Sequence, residues 1–163
     1  QVEVVRLLGE KLGANVNQAM QEGHTAMILA AQNGQVEVVR LLGEKLGANV
    51  NQANQDGRTA LIVAASNGHL EVVRLLGEKL GANVNQATQI GTTALMVAAQ
   101  DGHVEIVRLL GEKLGANINQ ADQLGFTALM LAARNGQLKV VKLLVRRLGA
   151  SVNQLSNENV SAL

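Results

Sequence analysis

Residues 52–85 read QANQDGRTALIVAASNGHLEVVRLLGEKLGANVN, and the closing block Gly81-Ala82-Asn83-Val84-Asn85 decides the fold because it recurs. The same block, with Val or Ile in fourth place, begins at Gly13, Gly47 and Gly115, and a variant begins at Gly149, so the period is 34 residues throughout. A fixed period between about 20 and 50 residues is the signature of an array of small units that each pack only on their neighbours. Arrays of this kind are usually binding surfaces, so function is sought in the columns that differ between copies.

Within the unit, Asp56-Gly57 is a tight-turn pair in which Gly can take positive φ. Thr59 is placed to cap a short helix over Ala60-Leu61-Ile62-Val63-Ala64-Ala65, and Asn67-Gly68 breaks it. A second helix is expected from about His69 to Leu80. Its apolar stripe is Val73, Leu76 and Leu80, joined by Leu70, Val72 and Leu75, while Glu71, Arg74, Glu78 and Lys79 fill the polar face. Gly81 ends that helix. Helices this short are marginal alone in water, so neighbouring units must hold them.

The pattern G-x-T-A-L-x-x-A-A-x-x-G-H-x-E-V-V-R-L-L followed by G-A-N-V-N-Q-A resembles the ankyrin repeat. The resemblance covers full units 18–51, 52–85, 86–119 and 120–153, a half-unit 1–17 and a partial unit 154–163, read as one domain over 1–163. It implies an all-α ankyrin-repeat solenoid of stacked antiparallel helix pairs linked by β-turn fingers, with an L-shaped stack and a concave binding face. Two departures stand out. Where the family usually has Thr-Pro-Leu-His, this chain has Ala at the Pro position and Ile28, Ile62, Met96 and Met130 at the His position, which exchanges a polar link for aliphatic packing. The period is 34 where 33 is usual, and the extra residue falls in the second helix. There Gly43, Gly77 and Gly111 each cost about 0.5–1 kcal/mol relative to Ala, and Leu46, Leu80 and Leu114 can supply the missing burial. A slightly longer second helix and altered curvature are expected.

Composition narrows the function classes. The chain has 163 residues, no Cys, no Pro, no Trp or Tyr, and one Phe. Disulfides and thiolate metal sites are therefore excluded. A net charge of +1 does not point to nucleic acid or an acidic membrane as the global partner. No apolar run reaches a membrane span and no signal pattern opens the residues given, so a cytoplasmic or other intracellular setting without membrane insertion is expected.

The variable columns carry the functional reading. One is Met20, Asn54, Thr88, Asp122; a second is Glu22, Asp56, Ile90, Leu124; a third is His24, Arg58, Thr92, Phe126; on the first helix Gln32, Ser66, Gln100 and Arg134 also differ. Spaced two residues apart, the turn columns would point the same way in an extended finger. By resemblance they lie where ankyrin repeats hold partners; the plainer alternative is that exposed turns drift. Glu22, His24, Asp56 and Arg58 make the first two fingers polar. Ile90, Leu124 and Phe126, with Met96 and Met130 behind, make the last two apolar, and Phe126 is expected at an exposed tip as an interface anchor. The alternative is that its ring folds back onto its own finger or covers the end of the stack. The expected partner surface is therefore Glu22, His24, Asp56, Arg58, Ile90, Thr92, Leu124, Phe126, Met96, Met130 and Arg134.

The fourth unit is also distinctive in charge. Arg134, Lys139, Lys142, Arg146 and Arg147 against Asp122 give it +4, while the other units carry −1, 0 and −1. Lys139, Lys142 and Arg146 fall on one helical stripe, read either as a solvated face or as a site for an acidic partner or anionic surface. Without interleaved aromatics, single-stranded nucleic acid is disfavoured.

No catalytic, cofactor or metal constellation is found. His24 sits in a turn, and His69 and His103 open second helices, where a structural role is expected. Gly-rich segments are turn and cap positions without the Lys of a phosphate loop. The residues given begin in a second helix at Gln1–Leu8 and stop in a first helix at Ser161–Leu163, which reads as a segment of a longer array or as ends that stack head to tail. The leading expectation is a non-enzymatic module that recognises a protein partner. The alternative is a structural spacer or self-stacking segment, favoured by near-complete repetition of Glu-Val-Val-Arg-Leu-Leu-Gly-Glu-Lys-Leu.

Overall fold

The computed structural model describes Glu3, Leu7, residues 14–157 and Ser161. The reading of Gln1–Leu8 as a second helix lies mostly outside the described residues, as does Ala162-Leu163. Two compact units are distinguished, residues 1–83 and 84–163. Among the described residues there are eight α-helices and no strands, only single β-bridges at Ala87–Thr93 and Ala121–Thr127.

In the first unit the helices are α1 (Ala26–Gln32), α2 (Val36–Arg40), α3 (Ala60–Ser66) and α4 (Leu70–Glu78). The second unit holds α5 (Ala94–Gln100), α6 (Val104–Arg108), α7 (Ala128–Arg134) and α8 (Leu138–Arg146). Each pair is a first helix packed on the second helix of its own repeat, and first helices of successive repeats pack side by side, α1 on α3 and α5 on α7.

The first helices are short, apolar and rich in Ala because they are enclosed. Every residue from Ala60 to Ala65 is buried. Ile28, Ile62, Met96 and Met130 are all buried core residues, as expected if they replace a polar link with packing. Each helix starts at a buried Thr whose Oγ1 accepts from the backbone N–H three residues on: Thr25 from Ile28, Thr59 from Ile62, Thr93 from Met96 and Thr127 from Met130, at 3.3–3.4 Å. Such caps contribute about 1 kcal/mol each. At the other end of α3, the Asn67 side-chain amide donates to Val63 O at 2.9 Å, and Gly68 takes φ +77°, which turns the chain into α4.

The second helices end differently from a plain α-helix. Leu46, Leu80, Leu114 and Leu148 each donate their N–H five residues back, to Leu41, Leu75, Leu109 and Leu143. In α2 and α6 the widened turn is long enough to form full π-helical segments, Leu41–Lys45 and Leu109–Lys113. A π turn holds one residue more than an α turn. The lengthening expected for the second helix is thus a bulge in its last turn, which leaves the α portion unextended. Gly81, at φ +71°, then closes the helix.

The helix-interior glycines have a steric reason. A β-carbon on Gly43 would stand 2.6 Å from Leu80 Cδ1, and one on Gly111 would stand 2.6 Å from Leu148 Cδ1. In both units the leucine of the widened turn seats in the gap left by the glycine 37 residues earlier. The leucine supplies the packing that a side chain at the glycine would have given, as the repeat pattern suggested.

Polar ladders tie successive repeats together. Asn17 Oδ1 accepts from Asn49 N and Asn51 Oδ1 from Asn83 N, both at 2.7 Å, in the first unit. In the second unit Asn85 Oδ1 accepts from Asn117 N at 2.7 Å and Asn119 Oδ1 from Ser151 N at 2.8 Å. The second Asn of each Gly-Ala-Asn-Val-Asn block is therefore a cross-repeat bond. His69 Nε2 meets Gln32 O at 2.9 Å, and Gln137 Nε2 donates to Gln100 O at 3.1 Å, so the residue opening a second helix satisfies a carbonyl at the end of the preceding first helix. That is the structural role expected of His69.

Candidate protein-interaction surface

Each finger is a reversal built by four backbone atoms, joined in all but the first by one side chain. In the second finger Asn54 N donates to Arg58 O and Gly57 N to Asn54 O, both at 3.0 Å, with Gly57 at φ +81°. The Asn54 side chain turns inward, and its Oδ1 accepts from Asp56 N at 3.1 Å and Arg58 N at 2.8 Å. Asp122 does the same for Leu124 N at 2.9 Å and Phe126 N at 2.8 Å, and Thr88 Oγ1 accepts from Thr92 N at 3.0 Å. Met20 has no oxygen for this role and stands 65 % exposed.

The first variable column is thus a turn organiser, with Met20 the exception, and the expectation that three columns share one face is corrected. Period-two alternation holds along an extended strand, whereas here the chain reverses between the columns. The second column occupies the tips: Glu22, Asp56, Ile90 and Leu124 are all exposed. His24, Arg58, Thr92 and Phe126 lie on the returning limb and are half-buried.

Fingers within a unit are bonded tip to tip. Gln55 N donates to Glu22 O at 3.1 Å and Gln55 Nε2 to Gln21 O at 2.8 Å. Gln123 repeats this on Ile90 O at 3.0 Å and Gln89 O at 2.6 Å, and Asn157 on Leu124 O at 3.0 Å and Gln123 O at 2.9 Å. Gln55 and Gln123, which precede the tip residues Asp56 and Leu124, are therefore fastening devices.

In the first unit the tips are polar. Glu22 Oε2 lies 3.8 Å from His24 Nε2, and the Asn54 amide lies 3.5 Å from the same nitrogen, while His24 Nδ1 is buried without a hydrogen-bond partner. Met20, Gln21, Glu22, His24, Leu29 and Gln32 line a pocket of about 480 Å³ beside this finger.

In the second unit the tips are apolar, with Ile90 64 % and Leu124 60 % exposed. Phe126 departs from expectation. It is half-buried on the returning limb below the tip, with the Arg134 guanidinium carbon 5.8 Å from its ring centroid. The exposed anchor of that finger is Leu124. Met96 and Met130, expected to stand behind the tips, are 1 % and 3 % exposed and face the core, so they are withdrawn from the surface. Met96 Sδ even accepts from Thr93 N at 3.4 Å within the helix start. Arg134 is exposed at the end of α7. Among the described residues there is no group of three or more His, Cys, Asp or Glu that could hold a metal, and no helix long and apolar enough to cross a membrane.

Thr-capped first helices, Gly-closed second helices and hydrogen-bonded fingers in a 34-residue repeat define an all-helical solenoid of the helix-turn-helix kind. The family model described as ankyrin repeats, in three copies, matches residues 1–88 and again 80–156, and the chain belongs to the ankyrin repeat family. Ankyrin repeats generally mediate protein–protein interaction, and the family is typically non-enzymatic. A search of curated proteins finds no match.

Proposed function

We propose that this chain is a non-enzymatic recognition module that holds a protein partner by its finger tips and returning limbs. The observation that carries the reading is the pair Ile90 and Leu124: two large aliphatic side chains, each more than half exposed, on adjacent fingers fastened by Gln123. Covering such side chains is worth roughly 1–2 kcal/mol each when a partner removes them from water. The fastening lowers the cost of ordering the fingers on binding, the general advantage of a preorganised surface. Arg134 and the edge of Phe126 extend the apolar tips with a cation, and Thr92 with a small polar rim. In the first unit Glu22, His24, Asp56 and Arg58 offer charged and polar contacts, which favour specificity over affinity.

A test begins with a partner captured by crosslinking and identified by mass spectrometry. Its affinity is then measured for the unaltered chain, for Ile90→Ala with Leu124→Ala, and for Phe126→Ala. The tip pair is expected to weaken binding by about tenfold or more and Phe126→Ala by less. Unchanged affinity in the tip variant rejects the proposed surface. The structural-spacer reading is favoured by the uniformity of the Asn ladder and the Gly–Leu seats, and it expects no partner dependent on any tip residue.

A further inference from the structure

The second helices of the first three full repeats pair their charges internally. Arg40 lies 3.7 Å from Glu37 and 3.4 Å from Glu44; Arg74 lies 3.6 Å from Glu71 and 3.4 Å from Glu78; Arg108 lies 3.4 Å from Glu105 and 3.8 Å from Glu112. Each stripe is one cation held between two carboxylates, one turn before it and one turn after. On α8 the same three positions are Lys139, Lys142 and Arg146. The acid–base–acid pattern becomes three cations, all of them exposed. None has a carboxylate within 4.0 Å among the described residues. Arg147 reaches Glu112 at 3.9 Å, but that carboxylate already serves Arg108.

Three like charges on one face repel one another, and the preceding helices show that the repeat accommodates Glu at two of the three positions without change of fold. We propose that this face of α8 is a docking site for an acidic segment of a partner protein, with carboxylates spaced three and four residues apart along a helix. Lys139 to Arg146 spans about 10 Å at 1.5 Å per residue, so two turns of an acidic helix match it. The observations favour protein over the other polyanions. Single-stranded nucleic acid needs stacking aromatics, and the chain's one aromatic is half-buried beside Arg134. Anionic membranes are read from clusters of about four to eight cations; the α8 stripe has three, and the adjoining Arg147 is held by Glu112 at 3.9 Å. The face shares no residue with the finger tips, so either proposal can fail without the other.

The test titrates the full chain by calorimetry with a helical peptide bearing Glu at alternate three- and four-residue spacings. Vesicles containing phosphatidylserine and a single-stranded DNA oligomer serve as rival polyanions. The variant K139E/R146E gives α8 the acid–base–acid stripe of the other repeats, and K139Q/R146Q removes charge without reversing it; far-UV circular dichroism verifies their fold. The expected result is peptide binding that weakens steeply with salt and falls about tenfold or more in K139E/R146E, with a smaller fall in K139Q/R146Q and no change in Ile90→Ala with Leu124→Ala. Equal binding by the unaltered chain and both variants, no binding at low salt, or preference for the vesicles or the DNA overturns the proposal.

Discussion

Replacing Gly43 by Ala separates helix propensity from cross-repeat packing, because the two act in opposite directions at this residue. Gly43 has an ordinary helical φ, so a β-carbon strains nothing in the backbone, and intrinsic propensity alone favours Ala by about 1 kcal/mol. The new methyl would stand 2.6 Å from Leu80 Cδ1, 2.8 Å from Cδ2 and 3.2 Å from Cγ. Moving Leu80 off its seat means displacing its Cγ as well as its tips, and overpacking of this kind costs about 1–3 kcal/mol. The net expectation is a chain less stable by about 1 kcal/mol. Leu80→Ala alone, at a half-buried site, should cost about 1–2 kcal/mol. In the Leu80→Ala background the clash is gone, and Gly43→Ala should then stabilise by about 0.5–1 kcal/mol, giving a coupling of about 1.5–2 kcal/mol between the sites. Urea unfolding followed by far-UV circular dichroism reads all four corners of the cycle; with no Trp or Tyr in the chain, intrinsic fluorescence is of little use. If Gly43→Ala raises stability by the full propensity value while Leu80 is intact, the seat does not exist and the glycine needs another explanation.

Two further outcomes follow from the hydrogen bonds. Asn85→Ala removes the acceptor of Asn117 N and should cost about 1–2 kcal/mol in urea unfolding, with faster hydrogen exchange at the Asn117 amide; unaltered exchange there refutes the ladder's role. Asp122→Ala should loosen the fourth finger, raising exchange at the Leu124 and Phe126 amides and costing about 1–2 kcal/mol, whereas Asp122→Asn should restore most of both because Asn54 does the same work in the second finger.

The period, the Thr caps, the Asn-Gly breaks and the closing glycines were legible because each rests on local chemistry that a single unit already contains. Asp56-Gly57 marked the reversal correctly, yet the side of the finger on which Asn54 and Asp122 fall depends on where the chain turns back, which strand alternation does not describe. Of the two readings of Phe126 the exposed tip fails for the same reason: the residue falls on the returning limb, two past the tip residue Leu124, and hydrophobicity alone gives no hint of it. Met96 and Met130 were correctly read as packing residues on the first helix, but could not also be surface residues once the helix was enclosed. The extra residue was located in the right helix, while its form as a π turn depended on Leu80 needing to reach Gly43. That contact spans 37 positions and has no local signature. Ile90, Leu124 and the three cations of α8 were visible as departures from their columns, which is the signal that repetition makes available.

The Gly–Leu seats also set a rule of arithmetic for the chain. Recurring bonds between neighbouring repeats join residues at fixed separations, among them 32, 33, 34 and 37 positions, and at most steps the same residue types meet. Insertion or loss of a whole 34-residue block returns every leucine to a glycine and every asparagine to its amide. A slip of one residue breaks all these pairings together. Growth by copying entire units is therefore the one change of length this sequence tolerates without new interfaces, and a row of near-identical second helices is the trace such growth would leave.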